Sequence, residues 1–381
     1  MVNEYVLRRP LRLVVGRVEA LRGGSSGDDG THEDHAHAQL LPTFLYDHGR
    51  LPAIGVYYAS DRLLADGNAV RLAASTWGPR GSEAVALDRY ALDAASAVQV
   101  RVDIARVQDE PFGGLGADAR DEVRARFGLD RLAARLAYRH ALGGDAHAEV
   151  GAGVRHLAFL AGDCCDEPSL DARIAAGTLA APPGYRDDYT AASVHAAIAL
   201  DTRRPRPDAG SGLYGGAHAE ASTDVAGGRA WLTYGGVLGA TVDLTGHGRL
   251  VSMQLSIDML EHVSGGAAPF TEDPRLGGEL MPGFVPGWLT GLSTASAQLG
   301  YRWPVWGWLD ARTRLTLGNA FGEHLAGLTP SKVRVSGDVG VLATRTVDEA
   351  LELLVGFGTE TLEHGGDVSS VRVTVGARRQ F

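Results

Sequence analysis

Gly23-Gly24-Ser25-Ser26-Gly27 has the spacing of a nucleophile elbow, in which a serine is held on a sharp turn between a strand and a helix. The residues around it are a glycine-serine stretch with no strand ahead of it, so the segment reads as a linker. His32, Glu33, Asp34, His35 and His37 follow. Imidazole and carboxylate at these intervals could bring two or three ligands to one ion. A solvated linker explains the same residues, and no metal is assigned. Cys164 and Cys165 are adjacent. Neighbouring cysteines bond to each other only in a constrained geometry, so free thiols, an intermolecular bridge and a vicinal disulfide all stay open. None of these groups marks out a catalytic site, and no cofactor is expected.

The remaining ionisable residues follow a pattern. Arg101 and Asp103 alternate with Val98, Val100, Val102 and Ile104. Asp310, Arg312 and Arg314 alternate with Leu309, Ala311, Thr313, Leu315 and Leu317, while Arg334, Ser336 and Asp338 alternate with Val333, Val335, Val339 and Val341. Val251, Met253, Leu255, Ile257 and Met259 alternate with Ser252, Gln254, Ser256 and Asp258. Period two with one apolar and one polar face is the mark of a strand. Sixteen such runs are expected, over about 39–48, 51–62, 67–78, 83–92, 96–108, 120–142, 146–161, 187–203, 211–225, 229–245, 249–263, 290–304, 306–319, 331–346, 349–362 and 367–381. The sixth changes face near Asp130 and Arg131, which predicts a bulge there.

The connections alternate in length. Leu63–Asp66, Asp93–Ala95, Gly143–Asp145, Gly246–Gly248 and Val305 are short; Asp109–Ala119, Gly162–Arg186, Ser264–Leu289 and Ala320–Pro330 are long. Short turns at one end and long loops at the other, with an even strand number, predict an all-β, 16-stranded antiparallel transmembrane barrel. The apolar parity then faces lipid. The polar parity, including Arg302, Asp310, Arg312, Arg314, Arg334 and Asp338, lines the lumen, and its mixed signs point to ion pairs rather than to a charge-selective channel.

Residues 1–38 are expected to stand apart from the barrel at 39–381. Leu11, Val14, Val15, Val18 and Leu21 share a helical face, with Arg8, Arg9, Arg12, Arg17 and Arg22 around it. That describes an amphipathic basic helix, either at a membrane interface or packed on the barrel end. Gly23–Gly30 reads as linker. No signal peptide is visible. A net charge of −10 over 381 residues, with Lys332 the only lysine, argues against nucleic acid as a partner. The partners expected are a lipid bilayer, the machinery that inserts the barrel, and a periplasmic protein.

Local motifs carry a resemblance. Asp201-Thr202-Arg203, followed by Pro207 and Gly210, looks like the turn after the eighth strand of the bacterial surface antigen family, the BamA/TamA-type outer-membrane barrels. Phe112-Gly113-Gly114-Leu115-Gly116 resembles its third loop. Leu276, Gly277 and Gly278, then Met281, Pro282, Gly283 and Phe284, resemble its sixth loop, and Gly300-Tyr301-Arg302-Trp303-Pro304-Val305 the strand after that loop. The last strand, with Val373 and Val375 on one parity and a terminal Phe381, resembles the family's C-terminal assembly signal. The match begins near residue 39, so the family's periplasmic polypeptide-transport-associated domains are expected to be absent. In the family an arginine stands where this chain has Pro282, and it pairs with acidic groups of the lumen wall. An arginine restored there is expected to strengthen the anchor if an acidic lumen residue such as Asp310 or Asp338 is within reach.

The resemblance implies an outer-membrane location and a role in outer-membrane biogenesis or in transport of protein or lipid, without enzymatic activity. A passive pore or a surface anchor is the alternative, and an outer-membrane hydrolase a third reading. The sixth loop is expected to fold back into the lumen with Met281 to Phe284 near its tip, because its Phe270, Leu280, Phe284 and Trp288 would be poorly placed in water.

Overall fold

The computed structural model describes residues 38–378 apart from 62, 64–67, 121–123, 163, 166, 204–209, 307 and 347–348. The N-terminal helix and linker, the histidine-acid cluster and Phe381 lie outside the described residues. The first eight strands are β1 (Ala38–Asp47), β2 (Ala53–Ser60), β3 (Asn68–Thr76), β4 (Ser82–Ala91), β5 (Ser96–Phe112), β6 (Ala125–Gly143), β7 (Ala146–Ala161) and β8 (Tyr189–Asp201). They continue with β9 (Gly212–Asp224), β10 (Ala230–Asp243), β11 (Leu250–Ser264), β12 (Arg275–Leu276), β13 (Leu289–Thr290), β14 (Ser293–Trp306), β15 (Leu309–Phe321), β16 (Arg334–Thr346), β17 (Glu349–Thr359) and β18 (Val368–Arg378). Sixteen of these close into one antiparallel barrel, and β12 and β13 form a separate ribbon. Each of the sixteen runs read from the sequence is one barrel strand.

Lipid and water divide the two faces. Val150, Val154, Val194, Ile198, Leu238, Leu255, Leu299, Leu315 and Val339 stand exposed on the outer wall, where a soluble protein would bury them. Tyr301 and Trp303 stack at 5.0 Å toward the short-turn end, as interfacial aromatics do. No helix among the described residues is long and apolar enough to cross a membrane. The short turn from β6 to β7 runs through Gly143 and Gly144, whose φ of 98° and 59° favour residues without a Cβ.

Two boundaries differ from the sequence reading. β6 starts at Ala125 rather than near 120, and Arg126 N–H donates to Pro168 O of the fourth loop at 3.0 Å. Near Asp130 and Arg131 the bulge lies on β5, while β6 has an irregularity of its own further along, between Ala141 and Gly143. The register slips between Val107 and Glu110 of β5, which pair with Leu129 and Phe127, so β5 carries the extra residue opposite Gly128. The change of face read on β6 reflects an irregularity in its neighbour.

The two faces are testable. Leu255→Arg is expected to destabilise the barrel by about 2–4 kcal/mol, the cost of a cation near the bilayer midplane. Gln254→Arg, one residue away on the lumen side, should cost clearly less. Equal losses in urea unfolding from lipid vesicles would reverse the assignment of the faces.

Candidate functional site: the filled lumen and the closing seam

The long-loop end of the barrel is filled by its own loops. Residues 265–292, the sixth loop, leave β11, enter the lumen and return to β14. Phe270 lies edge-on to Phe112 at 5.4 Å and Phe127 at 5.2 Å, and stacks on Phe159 at 6.0 Å. Beside it Glu272 accepts from Arg155 Nε at 2.9 Å and from the Tyr189 hydroxyl at 2.5 Å. Arg155 also donates to Glu220 at 2.7 Å, so one guanidinium ties the loop to two wall strands. The β12–β13 ribbon follows, and the third loop joins it where Gly116 N–H donates to Thr290 O at 2.8 Å.

The loop tip is held against β16, β17 and β18. Leu276, Met281, Phe284, Trp288 and Leu289 pack with Ala119 and Ala320 and are all buried. Gly278 N–H donates to Phe284 O at 2.9 Å and Phe284 N–H to Met281 O at 3.0 Å, which closes the turn. Gly283 N–H donates to Ser336 Oγ at 2.7 Å, and Ser370 Oγ–H donates to Gly283 O at 2.7 Å. Arg372 Nη1 reaches Pro282 O at 3.4 Å. A Cβ at Gly283 would overlap the carbonyl of Phe357, and one at Gly356 would stand 2.6 Å from Pro282 O. Backbone is therefore laid directly on backbone, which only glycine permits here.

The charges beneath the tip have the reverse polarity of the family motif. Arg314 donates to both oxygens of Asp338, at 3.0 and 2.6 Å, and Arg312 stands 3.4 Å from the same carboxylate. The loop contributes the acid. Glu279 pairs with Arg314 and lies 3.7 Å from Arg312, and its carbonyl accepts from Gln298 at 3.0 Å. Both acids named for a restored arginine at position 282 already have arginine partners. Asp338 is occupied as described, and Asp310 is paired with Arg302 at 2.5 Å. Pro282 contributes only a carbonyl, and the arginine that meets it comes from the wall.

Other loops complete the filling. Arg334, buried in the wall, donates to Thr359 O at 3.1 Å, to Glu360 at 3.0 Å and to Ala119 O of the third loop. Lys332 pairs with Asp118 at 2.5 Å and with Glu363, joining the third, seventh and eighth loops. In the fourth loop Glu167 accepts from Arg126 at 2.5 Å and Arg124 at 3.1 Å, and Ser169 caps the helix Leu170–Ala175. Cys164 and Cys165, whose pairing the sequence left open, are bonded to each other just ahead of Glu167. Among the described residues, no group of three or more His, Cys, Asp or Glu is placed to hold a metal ion.

The barrel closes at a short seam. Among the described residues β1 and β18 are in register at Phe44↔Ala377, Leu45↔Gly376, Tyr46↔Val375 and Asp47↔Thr374, with His48 N–H donating to Val373 O at 2.9 Å. The next shortest pairing, β2 with β3, runs from Ile54↔Thr76 to Ser60↔Val70. At the top of the seam Arg372 Nε and Nη2 donate to the two oxygens of Asp47 at 2.6 and 2.7 Å, both side chains buried. Val373 and Val375 lie on β18 opposite Val355 and Leu353 of β17.

Of the six lumen charges, Arg312, Arg314, Asp338 and Arg334 meet the loops at the sixth-loop tip, while Arg302 and Asp310 pair with each other. Sequence reasoning missed Glu279, Asp47, Ser336 and Ser370. Asp47 carried a usable signal, since it shares the inward parity of Thr43 and Leu45 on β1. Glu279, next to Gly277-Gly278, carried none that distinguishes it from other loop acids. The Asp201-Thr202-Arg203 turn is closed by Arg203, which donates to Asp201 at 2.9 and 2.8 Å and lies 4.0 Å over the Tyr214 ring.

No family model matches the chain, and no curated protein matches it. Solved structures do. BamA from Haemophilus ducreyi lacking POTRA domains 1-3 superposes with a TM-score of 0.64 at 10% identity, over 97% of this chain and 78% of that one. The fold is that of the BamA barrel. CdiB from Escherichia coli gives 0.58 at 12% identity over 92% of this chain and 66% of its own, and CdiB from Acinetobacter baumannii 0.57 at 8% over 89% and 59%. The chain thus spans less than two thirds of either CdiB. At these identities the likeness is one of fold.

Two outcomes follow from the loop. Glu279→Gln removes one acceptor from a half-exposed site and should cost about 1 kcal/mol. Glu279→Lys, which sets a cation against Arg312 and Arg314, should cost more and expose the loop tip to protease. Asp273, on the loop and not on a spanning strand, is buried, and this desolvation outweighs nearby Arg275 and pushes its pKa up to about 7. The folded state then holds a proton that the unfolded state has already lost between about pH 4 and pH 7. Stability should therefore fall as pH rises through that window, and Asp273→Asn should flatten the fall. An unchanged slope in thermal unfolding at pH 5 and pH 8 would contradict it.

Proposed function

We propose that this protein is an outer-membrane barrel that serves membrane biogenesis or the transport of protein or lipid, and that its cargo engages the wall at the β1–β18 seam. One observation carries the reading. Among the described residues four register pairs close a barrel whose lumen is already filled at the long-loop end, fewer than join any other two neighbouring strands. Each ladder bond is worth about 0.5–1.5 kcal/mol net in water and more where no water competes. Opening it in lipid therefore needs a partner that supplies replacement backbone hydrogen bonds, and a short ladder asks the fewest of it. The filled lumen argues against the passive-pore reading. The similarity to BamA and CdiB barrels supports the assignment to the outer membrane, with the bilayer, the insertion machinery and a periplasmic protein as partners. No catalytic role is assigned.

Leu45 and Gly376 face each other at a non-hydrogen-bonded position, since His48 and Val373, three residues further along, are hydrogen-bonded. Such pairs stand close enough for a disulfide. A strain whose only copy carries Leu45→Cys and Gly376→Cys should show the deletion phenotype when the pair is oxidised and recover on reduction. Full function with the seam locked would refute engagement there, and steady ion conductance of the wild-type barrel in planar bilayers would favour the pore.

A further inference from the structure

The seam and the sixth-loop tip share a residue. Arg372 on β18 spends Nε and Nη2 on Asp47 of β1, across the seam, and turns Nη1 to the Pro282 carbonyl at the loop tip. Two positions earlier on the same face of β18, Ser370 donates to Gly283 O. Ser336, which receives Gly283 N–H, stands on β16, two strands from the seam. The tip is therefore clamped from two sides, and only one clamp also touches β1.

We propose that Arg372 is a latch that makes seated loop and closed seam a single state. The argument is one of burial. Both members of the Arg372–Asp47 pair are withdrawn from solvent, Asp47 almost completely. A guanidinium held in such a place needs its donors satisfied together. If β1 moves away, Arg372 loses two charged bonds and its remaining orientation toward Pro282. If the loop tip leaves, the space above Arg372 admits water, and the pair at the seam becomes a solvent-exposed ion pair of small value. Either event weakens the other. Asp47 is also the last β1 residue in register with β18 among the described residues. Glu279 anchors the loop from the other side, through Arg312 and Arg314 of β15.

The latch rests on the seam being the part of the wall that opens, and its test is separate from the test of that reading. Amide hydrogen exchange of the full chain in lipid nanodiscs reads both ends at once. One peptide set covers Leu45 to His48, and the other covers Gly278 to Phe284. Ser336→Ala loosens the tip without touching the seam. In the otherwise native protein it should raise exchange several-fold in both sets. In an Arg372→Gln background both sets should already exchange faster, and adding Ser336→Ala should change the loop alone. Where Arg372→Gln by itself fails to assemble, Asp47→Asn with Arg372→Gln keeps the shape and removes the buried charges, and the same comparison applies. Seam exchange that responds to Ser336→Ala equally with and without Arg372, or that never responds, would overturn the latch. Neither result depends on the phenotype of the disulfide-locked strain, which speaks only to whether the seam must open.

Discussion

A sheet in a bilayer cannot keep an open edge, because an unpaired backbone group in hydrocarbon has no water to turn to. Every other feature of this protein depends on that constraint being met by β1 and β18. Fifteen of the sixteen strand pairings are hairpin or loop-joined neighbours and form with modest loss of chain freedom. The sixteenth joins the two ends of the barrel, and it does so with the shortest ladder among the described residues. A bidentate ion pair, Arg372 with Asp47, reinforces this seam.

The lumen follows a second constraint. An inward face lined with alternating arginine and carboxylate would, in an open channel, be solvated and only weakly paired. Here the loops bring apolar side chains into that space and exclude water from it. The charges are then forced into geometries that use most of their donors, as Arg155 does with Glu220 and Glu272, and Arg314 with Asp338 and Glu279. The two apolar clusters and the ion-pair networks are thus one construction. Phe270 and Phe284 displace the water, and the arginines order the loops that carry them.

The reversed polarity at loop six shows how the same mechanical end can be reached with different residues. A loop tip must be tied to the wall by an interaction that survives burial. A loop arginine with wall acids is one solution, and a loop glutamate with wall arginines is its electrostatic mirror. Pro282 suits the second, since its fixed φ shapes the tip while its carbonyl remains free to accept. Gly283 beside it allows a contact too close for any Cβ.

The sequence by itself determined the strand count, the two faces and the end at which the long loops lie. Those are period-two and spacing properties, and lipid on one side of a strand leaves no other arrangement of Leu255 against Gln254 or Val339 against Asp338. It also pointed to loop six through Gly277, Gly278, Gly283 and Phe284. Tertiary structure alone decided the partners. Asp47 and Arg372 are 325 positions apart along the chain, and Glu279 meets Arg314 across the lumen. Ser336 and Ser370 look like ordinary polar positions until the loop lands on them. Barrel closure and loop insertion bring together residues whose spacing carries no period, so no local pattern announces them. The bulge was misplaced for the same reason: a register slip belongs to two strands, and the sequence of β6 records only its own side of it.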